Sequence, residues 1–142
     1  MHLPTGEHVV QIRIARPTDR FEDIVAFYGV GLGLTRLRLW YDGKDGDHQG
    51  YDGVVFGLPG YPCHLEVTHH RSGSPGPAPS NDNPLVLYMP NAADIQAARD
   101  RLERFGHQPV PSGNPWWDND GFTYEDPDGW RIVLMTGAGL AT

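Results

Sequence analysis

The chain has 142 residues, of which 39% are hydrophobic, and a formal charge of −7, which suits one compact domain or two small modules with a shared core. Neutralising phosphates requires clustered Lys and Arg, so this acidic chain without a basic run is not expected to bind nucleic acid. No apolar run approaches membrane-spanning length, and the single cysteine, Cys63, precludes an intrachain disulfide and is predicted to be buried. We expect a soluble, cytoplasmic protein.

The first half of the chain has the pattern of a strand, a helix and three more strands. Residues 9–15 alternate apolar and polar side chains, as a half-buried strand does. Asp19 is expected to cap the helix that follows, and Glu22, three residues later, completes a capping box. Further strands are predicted at residues 34–41, 51–58 and 63–68, with a polar loop at 42–50.

The second half repeats this order after a linker at residues 71–83 that is rich in Ser, Gly, Pro and Asn. Asn91 is the expected cap of a second helix, which Gly106 terminates. We therefore divide the chain into module one, residues 8–70, and module two, residues 84–137. Strands of module two are predicted at residues 85–89, 108–110, 122–125 and 130–135.

Residues 114–131, with the sequence NPWWDNDGFTYEDPDGWR, are the most distinctive part of the chain. The Asp-Pro-Asp-Gly segment at residues 126–129 predicts a tight turn between two strands. Its proline fixes φ near the value that a turn requires, and its glycine adopts the backbone conformation with which the chain reverses direction. Together with GYDGVVFGLPG at 50–60 and LEVTHH at 65–70, this turn resembles the vicinal-oxygen-chelate superfamily, which contains glyoxalase I, extradiol dioxygenases and bleomycin-resistance proteins. The resemblance covers nearly the whole chain and points to a bacterial glyoxalase-like branch.

The resemblance implies an α+β fold in which two βαβββ modules form a curled mixed sheet with the helices outside. Dimers are common in that superfamily, so it also implies a homodimer, with the ligand cavity enclosed within one chain or formed across two. Strand alternation assigns side chains to the core or to the cavity. The residues predicted for the core are Val10, Ile12, Ile14, Cys63, Leu65, Val67, Leu85, Leu87, Met89, Trp130, Ile132 and Leu134. The residues predicted for the cavity are Gln11, Arg13, His64, Glu66, Thr68, Tyr88, Arg131, Val133 and Met135, with Tyr41, His48, Trp116 and Trp117 at its rim.

The resemblance also indicates where a metal ion would bind, since metal-dependent members take ligands from the first and fourth strands of each module. In module one these positions are Gln11 and Glu66, whereas in module two they are Pro84 and Val133, whose side chains cannot coordinate. His64 lies two residues from Glu66 on the same strand face and is a third candidate ligand. A divalent site on these residues, for Zn, Mn, Fe, Co or Ni, is one interpretation.

We favour a second interpretation, in which Gln11, Glu66 and His64 form a hydrogen-bonded cluster with Arg13 or Arg131. A catalytic metal normally takes about three convergent protein ligands, and module two contributes none. We therefore expect no resident cofactor.

Three functions follow from these alternatives. The preferred one is a metal-free protein that binds a small molecule, with Trp116 and Trp117 as a stacking wall in an acidic surrounding. The second is a metal-dependent lyase, isomerase or dioxygenase in which Gln11, Glu66 and His64 hold the ion. The third is metal-free acid–base catalysis, with Glu66 as the base and an arginine that stabilises an oxyanion. The sequence leaves open whether the chain is an enzyme. The residues expected to bind ligand are Arg13, His64, Tyr88, Trp116, Trp117 and Arg131.

Overall fold

The strands and helices follow the predicted order closely. The structure is a computed structural model that describes residues 8–140. The helix at Phe21–Val25 continues directly into a π-helical segment at Ala26–Gly31. The elements are β1 (Ile12–Pro17), α1 (Phe21–Val25), β2 (Thr35–Trp40), β3 (Tyr51–Gly57), β4 (Cys63–His70), β5 (Leu85–Met89), α2 (Ala92–Arg104), α3 (Pro115–Asn119), β6 (Gly121–Glu125) and β7 (Arg131–Thr136).

These elements form two sheets, one from each half of the chain. The first sheet has the order β1-β4-β3-β2, and the second has the order β5-β7-β6. In both sheets the first strand runs parallel to the last strand of its half, and the other pairs are antiparallel. The predicted α+β class and the strand–helix–strand order of the two halves are confirmed.

The second sheet lacks the strand that was predicted at residues 108–110. Val110 makes only an isolated bridge to Thr123, in which its N–H donates to the Thr123 carbonyl at 2.8 Å. Val110 lies between Pro109 and Pro111, and a proline has no N–H to donate to a ladder. A longer strand therefore does not form here.

The helix starts depend on local hydrogen bonds, and one prediction about them is wrong. Asn91 caps α2 as expected, because its Oδ1 accepts from the Ala93 N–H at 2.9 Å. Asp19 does not cap α1, whose N-cap residue is Arg20 without a side-chain cap. The Asp19 carboxylate instead accepts from the backbone N–H and the hydroxyl of Ser74, both at 2.8 Å, and so ties the 71–83 segment to the first module.

The helices of both halves pack into one core. A Cβ at Gly31 would lie 2.9 Å from a Leu102 methyl group, so the π-helical segment and α2 approach closely only because residue 31 is glycine. Arg101 donates to the Gly31 carbonyl at 3.0 Å across the same contact. The buried residues of this core come from both sheets and both helices: Phe21, Ile24, Phe27, Tyr28, Leu32, Val54, Phe56, Leu65, Val67, Ile95, Ala98, Leu102, Tyr124, Ile132 and Leu134.

A buried polar pair also joins the two halves. The Tyr28 hydroxyl donates to Asp126 Oδ2 at 2.6 Å, and both residues are almost fully buried. Burial raises the pKa of the Asp126 carboxyl above its usual value, although the donors around it oppose that shift. Burial, together with the nearby Asp126 charge, raises the pKa of Tyr28 well above 10. The turn at residues 126–129 is thus anchored to the helix of the first half.

The alternation of apolar and polar residues correctly predicted which side chains of the inner strands are buried, but it gave wrong predictions at the edge of the first sheet. Leu65 and Val67 are buried as predicted, and so are Ile132 and Leu134 in β7. The predictions for β1 and for the start of β4 are wrong, because β1 is an edge strand and nothing covers it in residues 8–140. The residues that are exposed instead of buried are Val10, Ile12 (59% exposed), Ile14 (40%) and Cys63.

No helix within residues 8–140 is both long enough and apolar enough to cross a membrane.

Candidate functional site

Each sheet has one face on the shared core and one face that points away from it. We call the side of the first sheet opposite the core the first outer face, and the equivalent side of the second sheet the second outer face. By strand alternation the first outer face carries Gln11, Arg13, His64, Glu66 and Thr68. The second outer face carries Tyr88, Thr123, Arg131, Val133 and Met135.

On the first outer face, Arg13 lies between the two residues that were predicted as metal ligands. Its Nη1 donates to Glu66 Oε1 at 2.9 Å, and its Nη2 donates to Gln11 Oε1 at 2.8 Å. The parallel pairing of β1 with β4 places Arg13 opposite His64 and Ala15 opposite Glu66, so one guanidinium reaches both oxygens. The side chain of Arg13 is 43% exposed and that of Glu66 is 21% exposed. The arginine therefore shields the carboxylate from solvent.

His64 lies on the same face but at the edge of a different cavity. Its ring packs against Gly57, where an added Cβ would be 2.8 Å from the imidazole Cδ2. The Nδ1 atom of His64 is buried and has no hydrogen-bond partner. The ring lines a largely apolar cavity of about 240 Å³, to which Ile14 and residues 85–87 also contribute. This cavity lies where the free edges of the two sheets approach each other.

The second outer face is covered by residues 111–120. Arg131 is only 8% exposed, and its Nη1 donates to the Pro111 carbonyl at 3.0 Å while its Nη2 pairs with Glu125 at 3.0 Å. The backbone of Trp117 lies so close to Gly121 that a Cβ there would be 2.5 Å from the Trp117 carbonyl oxygen. Val133 and Met135 are buried on this side of the sheet. This segment therefore fills the space that the sequence assigned to a cavity.

The two tryptophans belong to the covering segment. Asn114 Oδ1 accepts from the Trp116 N–H at 3.0 Å and caps α3, and Pro115 follows at the first helical position. Trp116 is 63% exposed, whereas Trp117 is half-buried. An exposed indole on a short, capped helix is available to a ligand or a partner, and Trp117 faces the protein.

Comparison with known proteins identifies the family to which this chain belongs. Residues 12–68 match the YycE-like N-terminal domain, and residues 82–136 match the YycE-like C-terminal domain. The protein YycE of Bacillus subtilis (strain 168) is 49% identical over 131 residues, which cover 92% of this chain and 91% of that protein. The chain belongs to the YycE-like family.

Solved structures relate the YycE-like fold to the vicinal-oxygen-chelate superfamily, as the sequence predicted. A crystal structure of a YycE protein of unknown function from Bacillus subtilis has a TM-score of 0.82 at 48% identity and covers 93% of both chains. Glyoxalase I from Leishmania major, which is trypanothione-dependent, has a TM-score of 0.65 at 16% identity and covers 89% of this chain and 85% of that one. The fosfomycin resistance protein FosX from Mesorhizobium loti has a TM-score of 0.64 at 11% identity and covers 94% of both chains. At these low identities the last two comparisons show the fold alone.

Members of this superfamily bind divalent metal ions, but the residues of this YycE-like chain do not fit one. Between residues 8 and 140 no group of three or more His, Cys, Asp or Glu side chains is placed to hold an ion. Gln11 and Glu66 each direct an oxygen at Arg13, so both oxygens already accept a hydrogen bond from the guanidinium. The corresponding positions in the second half are Pro84 and Val133, and Val133 is fully buried. Of the cluster that the sequence favoured, Gln11 and Glu66 are in contact with Arg13, whereas the Nδ1 atom of His64 has no hydrogen-bond partner.

The predicted cavity residues therefore fall into separate groups. Gln11, Arg13 and Glu66 are in direct contact, whereas Arg131 lies beneath residues 111–120 on the other sheet. The assignment of these residues to a ligand site stays a prediction. Outside the Arg13 cluster, His64 lines the apolar cavity, Thr68 lines another cavity of about 280 Å³ beside the 71–83 segment, and Tyr88 is exposed on the second sheet.

Trp40 is a residue of the first outer face that the sequence analysis missed. Its indole lies over Gly53, where any Cβ would overlap the ring, and its Nε1 donates to the Tyr51 carbonyl at 3.1 Å. The guanidinium of Arg38 is stacked 5.0 Å from the indole centroid. The available signal was Gly53 itself, because a glycine inside a strand often marks a close approach by another group.

The acidic residues near the rim mostly organise their own loop. Asp42 accepts from the His48 N–H at 2.7 Å, and this hydrogen bond lowers the pKa of the Asp42 carboxyl. Asp52 accepts from the Asp42 N–H, and Asp45 accepts from the Tyr41 N–H, each at 2.8 Å. The carboxylates of the 42–50 loop thus satisfy backbone donors, which is a structural role.

Proposed function

We propose that this protein binds a small molecule on the first outer face and that it does so without a catalytic metal ion. The observation that carries the proposal is the position of Arg13, which contacts both Gln11 and Glu66. A divalent ion bound by these two oxygens would lie beside a guanidinium that stays protonated at any working pH, and the two like charges would repel. The Arg13 site is therefore suited to polar recognition of a ligand. The exposed thiol of Cys63 suits a cytoplasmic, reducing location.

We further propose that a second copy of the chain completes this site. Within one chain Tyr88 and Trp116 belong to the second sheet and its covering segment, and neither lines the cavity at His64. The exposed apolar side chains of Ile12 and Ile14 lie on an edge strand, next to the apolar cavity that β5 also lines. A homodimer that covers this edge would bring the partner chain close to Arg13, because Arg13 lies on the same strand as Ile12 and Ile14. Sedimentation analysis of Ile14→Arg, with Val30→Arg at another exposed apolar residue as control, should show loss of the dimer in the first variant only.

The alternative is a divalent-metal-dependent lyase, isomerase or dioxygenase that uses Gln11, Glu66 and His64. One observation favours it: all three residues share the first outer face, and the Nδ1 of His64 lacks a partner. Such an enzyme would require Arg13 to leave its two contacts before the ion could bind.

Metal content per chain separates the two functions. The untagged protein is reconstituted separately with Zn, Mn, Fe, Co and Ni, desalted and assayed, together with Glu66→Ala and the control Glu125→Ala. Glu125 is also paired with an arginine but lies on the second sheet, so its loss should not affect an ion at Glu66. We expect no stoichiometric ion in any of the three proteins. An ion that is retained in the wild type and in Glu125→Ala, and is lost in Glu66→Ala, would overturn the proposal.

A further inference from the structure

We propose that Arg13 is a built-in cation that takes the place of a metal ion and binds an oxyanion of the ligand through its free N–H groups. This inference rests on the proposed function, because it names the group that the ligand contacts at the same site. It predicts that removal of the guanidinium frees the Gln11 and Glu66 oxygens to bind a divalent ion weakly, and that the ligand carries a carboxylate, phosphate or phosphonate.

The first argument is the convergence of two oxygens on one guanidinium. Gln11 Oε1 accepts from Nη2 at 2.8 Å, and Glu66 Oε1 accepts from Nη1 at 2.9 Å. Both distances are those of good charge-assisted hydrogen bonds, so the oxygens are fixed around a positive centre. A small cation at that centre would need the same two oxygens. Arg13 and a metal ion are therefore mutually exclusive occupants.

The second argument concerns the donors that remain. A guanidinium has more N–H groups than these two contacts use, and their planar arrangement matches carboxylate and phosphate oxygens. The Arg13 side chain is twice as exposed as that of Glu66, at 43% against 21%, so its open edge faces outward while the carboxylate lies beneath it. Glu66 and Gln11 hold the guanidinium in one orientation, so the Arg13 side chain loses less conformational entropy when a ligand binds.

The third argument is the contrast with Arg131, the other arginine of the predicted cavity. Arg131 donates to the Pro111 carbonyl, pairs with Glu125 and is buried. It therefore offers no accessible donor to a ligand while residues 111–120 remain in place. Of the two arginines, only Arg13 combines a fixed position with an accessible edge.

The test of the freed oxygens is a gain of metal binding. Arg13→Met removes the charge and keeps a side chain of similar reach, which leaves the Gln11 and Glu66 oxygens free. We expect Arg13→Met to bind Mn²⁺ at least about tenfold more tightly than the wild type, as measured by electron paramagnetic resonance of the free ion. Adding Glu66→Gln to that variant should remove the gain, and the exposed Arg36→Met should show none. A folded Arg13→Met that binds Mn²⁺ no better than the wild type would overturn the inference.

The test of the free donors uses inorganic phosphate and acetate as probes. The Nε–Hε resonance of Arg13 is followed by NMR during titration at constant ionic strength, with that of Arg36 as the internal control. We expect a saturable shift for Arg13 alone with at least one of the two probes, and a response to only one of them identifies the preferred oxyanion. Equal, non-saturating shifts of both arginines with both probes would contradict the inference. Failure of these two tests would leave the metal-free function standing, whereas a wild-type protein that retains a stoichiometric ion would overturn both the proposed function and this inference.

Discussion

The two outer faces of this protein belong to sheets of similar strand order, but the arginine on each face differs in its exposure and its hydrogen-bond partners. On the first outer face Arg13 is partly exposed and is held by Gln11 and Glu66. On the second, Arg131 is buried beneath residues 111–120 and holds that segment through the Pro111 carbonyl. Arg13 thus has N–H groups that face solvent, whereas Arg131 holds residues 111–120 in place.

The two halves of the chain thus use corresponding surfaces differently, although they resemble each other in strand order and share a core. Residues 111–120 lie on the second outer face, where Val133 and Met135 are buried. On the first outer face Trp40 lies over Gly53 and Val55 is buried, but the side chain of Arg13 is partly exposed. Of the two arginines, Arg13 is therefore accessible to a ligand, whereas Arg131 is buried.

The largest expected effect comes from adding a methyl group under the covering segment. Gly121→Ala would place a Cβ 2.5 Å from the Trp117 carbonyl oxygen, which is backbone and cannot rotate away. We expect a loss of up to about 3 kcal/mol in the free energy of unfolding and a change in Trp fluorescence as the segment shifts. Gly57→Ala is the matched change on the first sheet, where the Cβ would meet the ends of the His64 and Leu37 side chains. Urea denaturation should show a smaller loss for Gly57→Ala, and equal losses would mean that residues 111–120 are not packed as tightly as the contact implies.

A smaller effect is expected from removing each arginine in turn. Arg131→Ala removes the hydrogen bond to Pro111 and the packing of a buried side chain, and should cost about 1–2 kcal/mol. Arg13→Ala removes a partly exposed ion pair and should cost less than about 1 kcal/mol. Unfolding curves of both variants measure the difference directly. If Arg13→Ala proved the more destabilising, the first outer face would be a structural element and not a site kept for a ligand.

The sequence predicted the features that depend on local patterns. The alternation that buries Leu65 and Val67 is visible in a few residues, and so is the Asn91 cap, because its side chain reaches only two residues along the chain. The Asp-Pro-Asp-Gly turn is equally local. These features can be predicted without knowing which residues distant in the sequence come into contact.

The strand predicted at residues 108–110 fails for a local reason, its two prolines, and the other failures concern contacts between distant segments. Ile12, Ile14 and Cys63 have the residue types of a core, but their exposure follows from the position of β1 at the sheet edge. Arg13 and Arg131 were equivalent partners for Glu66 in the sequence, and only the pairing of β1 with β4 and the path of residues 111–120 distinguish them. Asp19 has the spacing of a cap, yet Ser74, 55 residues away, competes successfully for its carboxylate.

The smallest effect we predict is a pH dependence at the Tyr28–Asp126 pair, which holds the two halves together and so keeps the two outer faces apart. Burial raises the folded-state pKa of Asp126 above its unfolded value near 3.9, so the folded protein binds the proton more tightly. The stability that this preference contributes is fully present below the unfolded pKa and is lost as the pH rises through the raised folded pKa.

Asp126→Asn isolates this effect, because the amide cannot titrate but can still accept from the Asp128 and Trp130 N–H groups and donate to the Tyr28 hydroxyl. The unfolding free energy of the wild type relative to Asp126→Asn should therefore fall as the pH rises from about 4. It should become constant once the buried carboxyl has ionised. Urea denaturation at intervals from pH 3.5 to pH 8 measures this difference. Parallel profiles would show that the hydrogen bonds from Tyr28 and the turn fully offset the burial of Asp126, and the junction between the halves would then carry no net preference for the protonated acid.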